Sequence, residues 1–303
     1  MSAVLWDPLT GDPLLLAPAR AARPHDTDAA GAAAAACPFC EGREAETPPE
    51  VLAVRPGGGP ADGPGWLVRA FANKYPALPP EEGVHEIVVS TPRHVVSFGD
   101  LTDEEAGRAV SAWAERLRAI GADARGLCPF LFLNQGAAAG ASLQHTHAQL
   151  VGLPVAPPRL VRREAAFAAS SECPVCADLA SADARLVCEA HGLVAWAPAV
   201  PPLSGTLRLA PRRHVPAWGD DLDVVAVGCA VRDLVRRVPD AFGVNALNLW
   251  LHQRRPGGRG PYHWHLELVP RRGTLAGLEL GAGVVPLTQT PEEVAERMRA
   301  AGS

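Results

Sequence analysis

Gln144-His145-Thr146-His147-Ala148-Gln149 is the stretch from which the fold is read, because the chain echoes it at His263-Trp264-His265-Leu266-Glu267. Each His-x-His follows a lone histidine and, before that, a Cys-x-x-Cys pair. The first series runs Cys37-Pro38-Phe39-Cys40, Thr91-Pro92-Arg93-His94, His145; the second runs Cys173-Pro174-Val175-Cys176, Ala210-Pro211-Arg212-Arg213-His214, His263. The lone histidine precedes the His-x-His by 51 residues in one series and 49 in the other. An ordered set of this kind occurring twice is the mark of an internal repeat. It divides the chain into 1–157 and 158–303, meeting at the Pro-rich run Leu153-Pro154-Val155-Ala156-Pro157-Pro158.

Local patterns inside each copy agree. Gly83 to Ser90 alternates apolar and polar residues and is rich in β-branched ones, which predicts a strand. Thr102 to Ile120 has helical spacing and opens on Thr-Asp-Glu-Glu, a capping run. Phe130–Leu133 and Thr146–Val151 read as strands about a glycine-rich turn. In the second copy, 205–210 reads as a strand, 221–238 as a helix, and 246–251 and 263–269 as strands. Strands and one helix without βαβ regularity predict an α+β protein, each copy an antiparallel sheet with a packed helix.

Seven cysteines, four of them in Cys-x-x-Cys pairs, favour a metal over a disulfide framework. Zinc takes tetrahedral thiolate and imidazole ligands. The expected sites are Cys37, Cys40, His94, His145 and Cys173, Cys176, His214, His263, giving one or two Zn2+ per chain. Four protein ligands leave no position for water, so each metal is expected to be structural. His25, His85, His191 and His252 are expected to be structural or surface residues, and Cys128, Cys188 and Cys229 to be apolar-like.

The chemistry is expected in Asn134-Gln-Gly136-Ala-Ala-Ala-Gly140-Ala-Ser142-Leu-Gln-His145-Thr-His147-Ala-Gln149. On a strand, His145, His147 and Gln149 face one side. With His145 tied to metal, His147 is held beside it, and a neutral imidazole so held is a nucleophile toward phosphorus. Gln149 and Ser142 are expected to donate to phosphoryl oxygens as charge builds on them. The small residues from Gly136 to Gly140 let backbone approach phosphates.

The same stretch resembles the active-site segment of galactose-1-phosphate uridylyltransferases, the transferase branch of the histidine-triad superfamily. Those read Asn-x-Gly-x-x-x-Gly-x-Ser-x-x-His-Pro-His-x-Gln, and their second histidine becomes nucleotidylated. Here Thr146 replaces the proline. The resemblance covers most of the chain and implies two tandem histidine-triad-like domains and a homodimer. Its ping-pong route has His147 attack the α-phosphorus of a nucleotide sugar, release sugar 1-phosphate and pass the nucleotidyl group to an acceptor. It also implies that Arg20 and Arg23 lie near the phosphates and that Asn73 and Lys74 line the nucleoside pocket, with Asn134, Gly136 and Gly140 binding substrate. Its place would be in galactose and carbohydrate metabolism, as a UDP-glucose:hexose-1-phosphate uridylyltransferase. The tail from His263, with Gly277 to Gly283, looks more like the ADP-glucose phosphorylases, which makes phosphorolysis of ADP-glucose or a dinucleoside polyphosphate the alternative. A non-catalytic zinc-stabilised nucleotide-binding protein is a third.

Other classes are excluded by composition. Net charge is −5, with no Lys/Arg cluster, so nucleic acid is not an expected partner. No apolar run spans a bilayer and the opening residues lack a signal-peptide layout, so no membrane association and a cytoplasmic location are expected. The second copy sets Glu267 where the first has Gln149. A carboxylate repels a phosphate, so His265 is expected not to be a nucleophile. Arg254, Arg255 and Arg259 are candidates for phosphate contacts, or a solvated loop.

Overall fold

The computed structural model describes residues 3–22, 37–219 and 222–302. Two short strands, β1 (Val4–Trp6) and β2 (Pro13–Leu15), form a separate hairpin. Next come β3 (Glu50–Val54), β4 (Val68–Ala72), β5 (Val84–Val89), helix α1 (Asp103–Gly121), β6 (Cys128–Gln135) and β7 (His147–Leu153). Past the Pro-rich run lie α2 (Pro158–Ala169), α3 (Pro174–Ala180), β8 (Leu186–Ala190), β9 (Leu193–Trp196), β10 (Leu207–Pro211), α4 (Val224–Phe242), β11 (Leu247–His252), β12 (His265–Pro270) and α5 (Pro291–Ala300).

Ten strands make one antiparallel sheet in the order β3-β4-β5-β7-β6-β11-β12-β10-β9-β8. The fold is α+β, as the element pattern predicts. Five strands come from each side of the Pro-rich run, and β6 and β11 join them. Across that joint Phe132 pairs with Trp250, and Asn134 with Asn248. Phe132 faces Gln149 on its other side and Trp250 faces Glu267, so the joint relates the two copies by an approximate dyad.

Strand alternation sorts the side chains into two layers. Val88, Leu131, Leu133, Ala148 and Leu150, with their counterparts Leu209, Leu249, Leu251, Leu266 and Leu268, pack under α1 and α4 in the main core. α1 begins with the expected capping box between Thr102 and Glu105. α4 begins three residues later than expected, at an Asp223 cap. The helices approach closely at Gly228, where a Cβ would stand 2.5 Å from the Ala106 carbonyl carbon. The opposite face carries two smaller clusters, around Phe39, Trp66, Phe71 and Ile87 and around Phe167, Trp196 and Tyr262. Every chemistry-bearing residue of β7 and β12 lies on this second face, opposite α1 and α4, where α2 and α3 pack in the second copy. Among the described residues, no helix is long and apolar enough to cross a membrane.

Candidate active site

β7 leaves the glycine-rich loop in the plane of the sheet and presents His147 and Gln149 to the face opposite α1 and α4. Thr91 to His94 runs alongside. His145 Nε2 lies 2.9 Å from the Thr91 carbonyl, so that nitrogen carries the proton and Nδ1 turns to the cysteines. Cys37 Sγ is 3.5 Å from His145 Nδ1, and Cys40 Sγ is 3.4 Å from His94 Nδ1. Glu105 from α1 bonds both Thr91 Oγ1 (2.7 Å) and Arg93 (2.6 Å), which fixes the His94 segment to the helix.

The second copy repeats this geometry. His263 Nε2 lies 3.0 Å from the Pro211 carbonyl, and its Nδ1 is 3.4 Å from Cys176 Sγ and 3.7 Å from Cys173 Sγ. His214 Nδ1 is 3.7 Å from Cys176 Sγ. Both expected four-residue sets are thus assembled, their ligand atoms within 4.8 Å of one another. The donor chemistry fits a metal. Burial pushes His145 and His263 down to about 4, leaving neutral imidazoles. The same burial pushes the Cys37 and Cys176 thiols up to about 11, a cost that a cation among them offsets by taking them as thiolates.

His147, only 3 % exposed, sets Nδ1 2.6 Å from the His145 carbonyl, which assigns the proton to Nδ1 and the lone pair to Nε2. Phe39 packs edge-on at 5.1 Å between ring centres. His147 and Ser142 line a cavity of about 480 Å3 together with Phe39, Phe71, Asn73 and Lys74. Arg20 reaches the same neighbourhood, donating to the Tyr75 carbonyl at 2.7 Å. Gly136 and Gly140 both have positive φ (79° and 81°), which opens the tight turn before Ser142. Asn134 and Gly136 line a narrow crevice beside His145. Arg23 lies outside the described residues, as does His25.

Three side chains are more engaged than their sequence context suggests. The Ala77 N–H donates to His85 Nδ1 at 3.0 Å, so His85 Nε2 bears the proton and donates to Gln149 Oε1 at 3.0 Å. That bond turns the Gln149 NH2 away from His85. The only advance signal is that His85 sits two residues from Ile87, the partner of Gln149 on β5. Asn248 bonds Asn134 across the two copies, and within the second copy Arg163 of α2 bonds His265.

That second copy differs decisively. His265 Nδ1 lies 3.0 Å from the His263 carbonyl, the same tautomer as His147, but Arg163 Nη1 from α2 meets His265 Nε2 at 3.0 Å. Glu267, fully buried, is bonded by Arg163 (2.9 Å), Arg208 (3.0 Å) and His252 (2.8 Å). Burial opposes its ionisation, yet His252 and the two arginines outweigh it and hold the carboxyl well below its ordinary range. Burial also pushes His252 down to about 4, so the two guanidiniums carry the balancing charge. His252, His265 and Glu267 are close enough to hold a cation, but that space already contains two positive side chains. The sequence-based reason for an inert His265, repulsion by Glu267, therefore gives way to another: its lone pair is covered by Arg163. Arg255 pairs with Glu164, and Arg254 and Arg255 line a separate cleft with Arg118 and Trp218.

Residues 69–157 match the family model for the N-terminal domain of galactose-1-phosphate uridyl transferase. The chain is 29% identical to the ADP-glucose phosphorylase of Arabidopsis thaliana, over 97% of this chain and 91% of that protein. It is 34% identical to a galactose-1-phosphate uridylyltransferase of Streptomyces lividans over 39% of this chain and 34% of the other. A solved uridylyltransferase structure superposes with a TM-score of 0.81 at 26% identity, covering 99% of this chain and 98% of its own.

Proposed function

We propose that the chain is a nucleotidyltransferase of the kind represented by galactose-1-phosphate uridylyltransferases and ADP-glucose phosphorylases, and that it moves the nucleotidyl group by way of His147. The carrying observation is the His147 tautomer, Nδ1–H bonded to the His145 carbonyl within a cavity of nucleotide size. Nε2 attacks the α-phosphorus of a nucleotide sugar; the P–N bond forms as the P–O bond to the sugar phosphate breaks. Sugar 1-phosphate departs. A phosphate oxygen of the acceptor then attacks the same phosphorus, and the bond to His147 breaks.

Gln149, oriented by His85, and Ser142 would donate to the phosphoryl oxygens as charge builds on them. Gly136, Gly140 and Asn134 would cradle the phosphates; Arg20 would favour the diphosphate, and Asn73 and Lys74 would contact the nucleoside. We assign zinc to Cys37, Cys40, His94, His145 and to Cys173, Cys176, His214, His263. When bound, it would fix loop 91–94 and the start of β7 rather than activate water.

The leading donor and acceptor are UDP-glucose and a hexose 1-phosphate. One observation favours a second reading: a curated relative that matches 97% of the chain at 29% identity is an ADP-glucose phosphorylase, which would make the nucleotide adenylyl and the acceptor inorganic phosphate. Intact-mass measurement after incubation with UDP-glucose, ADP-glucose or diadenosine tetraphosphate separates them. A uridylyl increment supports the first and an adenylyl increment the second. No increment with any donor, together with wild-type turnover by His147→Ala, would refute the covalent route.

A further inference from the structure

We propose that Asn248, a residue of the second copy, is a positioning residue for nucleotidyl transfer in the first: it sets which end of the Asn134 carboxamide faces the cleft and ties down the glycine-rich loop. This rests on the reading of His147 as nucleophile and of residues 136–140 as phosphate cradle.

The argument is one of hydrogen-bond polarity. Arg271 Nη1 lies 3.1 Å from Asn248 Oδ1, and a guanidinium can only donate. Asn248 Nδ2 lies 2.9 Å from the Ala139 carbonyl, which can only accept. The Asn248 amide therefore has one orientation. Its Nδ2 also lies 2.8 Å from Asn134 Oδ1, so Asn134 must show its oxygen to β11. The Asn134 NH2 is left on the opposite side, toward β7.

Asn134 is placed to use it. Phe132 pairs with Gln149 and Leu133 with Ala148, so Asn134 stands next in line, across from His147 and on the same sheet face. An NH2 group there can stabilise a phosphoryl oxygen gaining charge; a carbonyl oxygen would repel it. The loop is held by the same neighbour strand. Gln135 Nε2 donates to the Asn245 carbonyl at 2.9 Å, and a Cβ on Gly136 would stand 3.0 Å from Ala246 Cβ. One copy thus supplies the reacting groups, and the other fixes their donor–acceptor sense.

Asn248→Asp tests this with little change of shape. The carboxylate still accepts from Arg271 but faces the Ala139 carbonyl with another oxygen and forces Asn134 to turn round. Single-turnover formation of the nucleotidyl adduct, measured with whichever nucleotide sugar labels the wild type, should slow by roughly 10- to 100-fold, with KM within about threefold of wild type. Asn248→Ala removes the amide without inverting it and should lose less. In an Asn134→Ala background, Asn248→Asp should cost less than about threefold, because its main route of action is gone. If Asn248→Asp fails to fold, Asn248→Ala carries the same coupling test. An adduct rate within about twofold of wild type, or an undiminished loss in the Asn134→Ala background, overturns the proposal. An adduct that persists in His147→Ala overturns the underlying reading as well, and is thereby told apart.

Discussion

Replacing Glu267 by Gln makes the second copy match the first at the residue two places after its inner histidine. Were carboxylate repulsion what keeps His265 idle, the change should awaken it, and the protein should carry two nucleotidyl groups. The structure gives the opposite expectation. Arg163 still covers His265 Nε2, so the adduct should stay at one per chain, on His147. What changes is stability. Glu267 is 0 % exposed and neutralises two guanidiniums, at 2.9 Å and 3.0 Å. Removing one partner from a buried ion network costs about 3–5 kcal/mol. Arg163 and Arg208 keep some solvent contact, and Arg208 retains Asp178 at 3.5 Å, which points to the lower end, about 3 kcal/mol. For a chain of this length the unfolding entropy is about 0.6 kcal/mol/K, so Tm should fall by about 5 °C. Calorimetry and intact mass on one preparation read both quantities. A second nucleotidyl increment, or a Tm within about 1 °C of wild type, would refute the reasoning.

Glu105→Gln should destabilise the protein by about 1 kcal/mol at neutral pH, allowing for the solvent around Arg93. The bond from Arg93 holds the Glu105 carboxyl down to about 2 from an ordinary 4.5, so its contribution is complete above pH 4.5 and vanishes as pH falls toward 2. Urea unfolding across that range should therefore show wild type and variant converging, and parallel curves would contradict the assignment. Cys37→Ser and Cys173→Ser should each lower bound zinc from two per chain to one, but only Cys37→Ser should slow adduct formation strongly. Metal analysis with single-turnover kinetics checks this, and equal kinetic losses would argue against a purely structural second site. Gly136→Ala combines a φ of +79° with a Cβ 3.0 Å from Ala246 Cβ, at a cost of about 1–3 kcal/mol. It should slow the adduct roughly tenfold by displacing the loop, and wild-type kinetics would count against the cradle.

The two Cys/Cys/His/His clusters were legible because four side chains that converge recur in one order twice. α1 was legible from Thr102 and Glu105, a local signal that the capping box reproduces. β3 and β4 were not, for a physical reason: Arg69 lies buried in β4 and breaks the apolar pattern. It is satisfied by Glu50, Asp62 and Thr47, partners up to 22 residues away that no local window sees. The proposed nucleophile could be read, but its supports could not. His85 acts between strands, Asn248 between copies and Arg163 from α2 onto β12, and each looks ordinary in its own segment. The strand 246–251 was read correctly, while its neighbour β6 across the repeat was a matter of topology.

The joint between β6 and β11 bears on how such a chain could be cut or could have arisen. Phe132 and Trp250 occupy equivalent places and pair with each other, so each five-stranded unit presents an edge shaped to receive its own likeness. A fragment ending at residue 157 would carry β6 as a bare, partly apolar edge. It should sediment as a pair closed through β6 against β6, rebuilding ten strands from two identical pieces; a monomer would tell against this. In such a pair Asn134 would meet Phe130 instead of Asn248, and the polarity signal across the seam would be absent. With both copies in one chain, that side of the seam need not mirror the other.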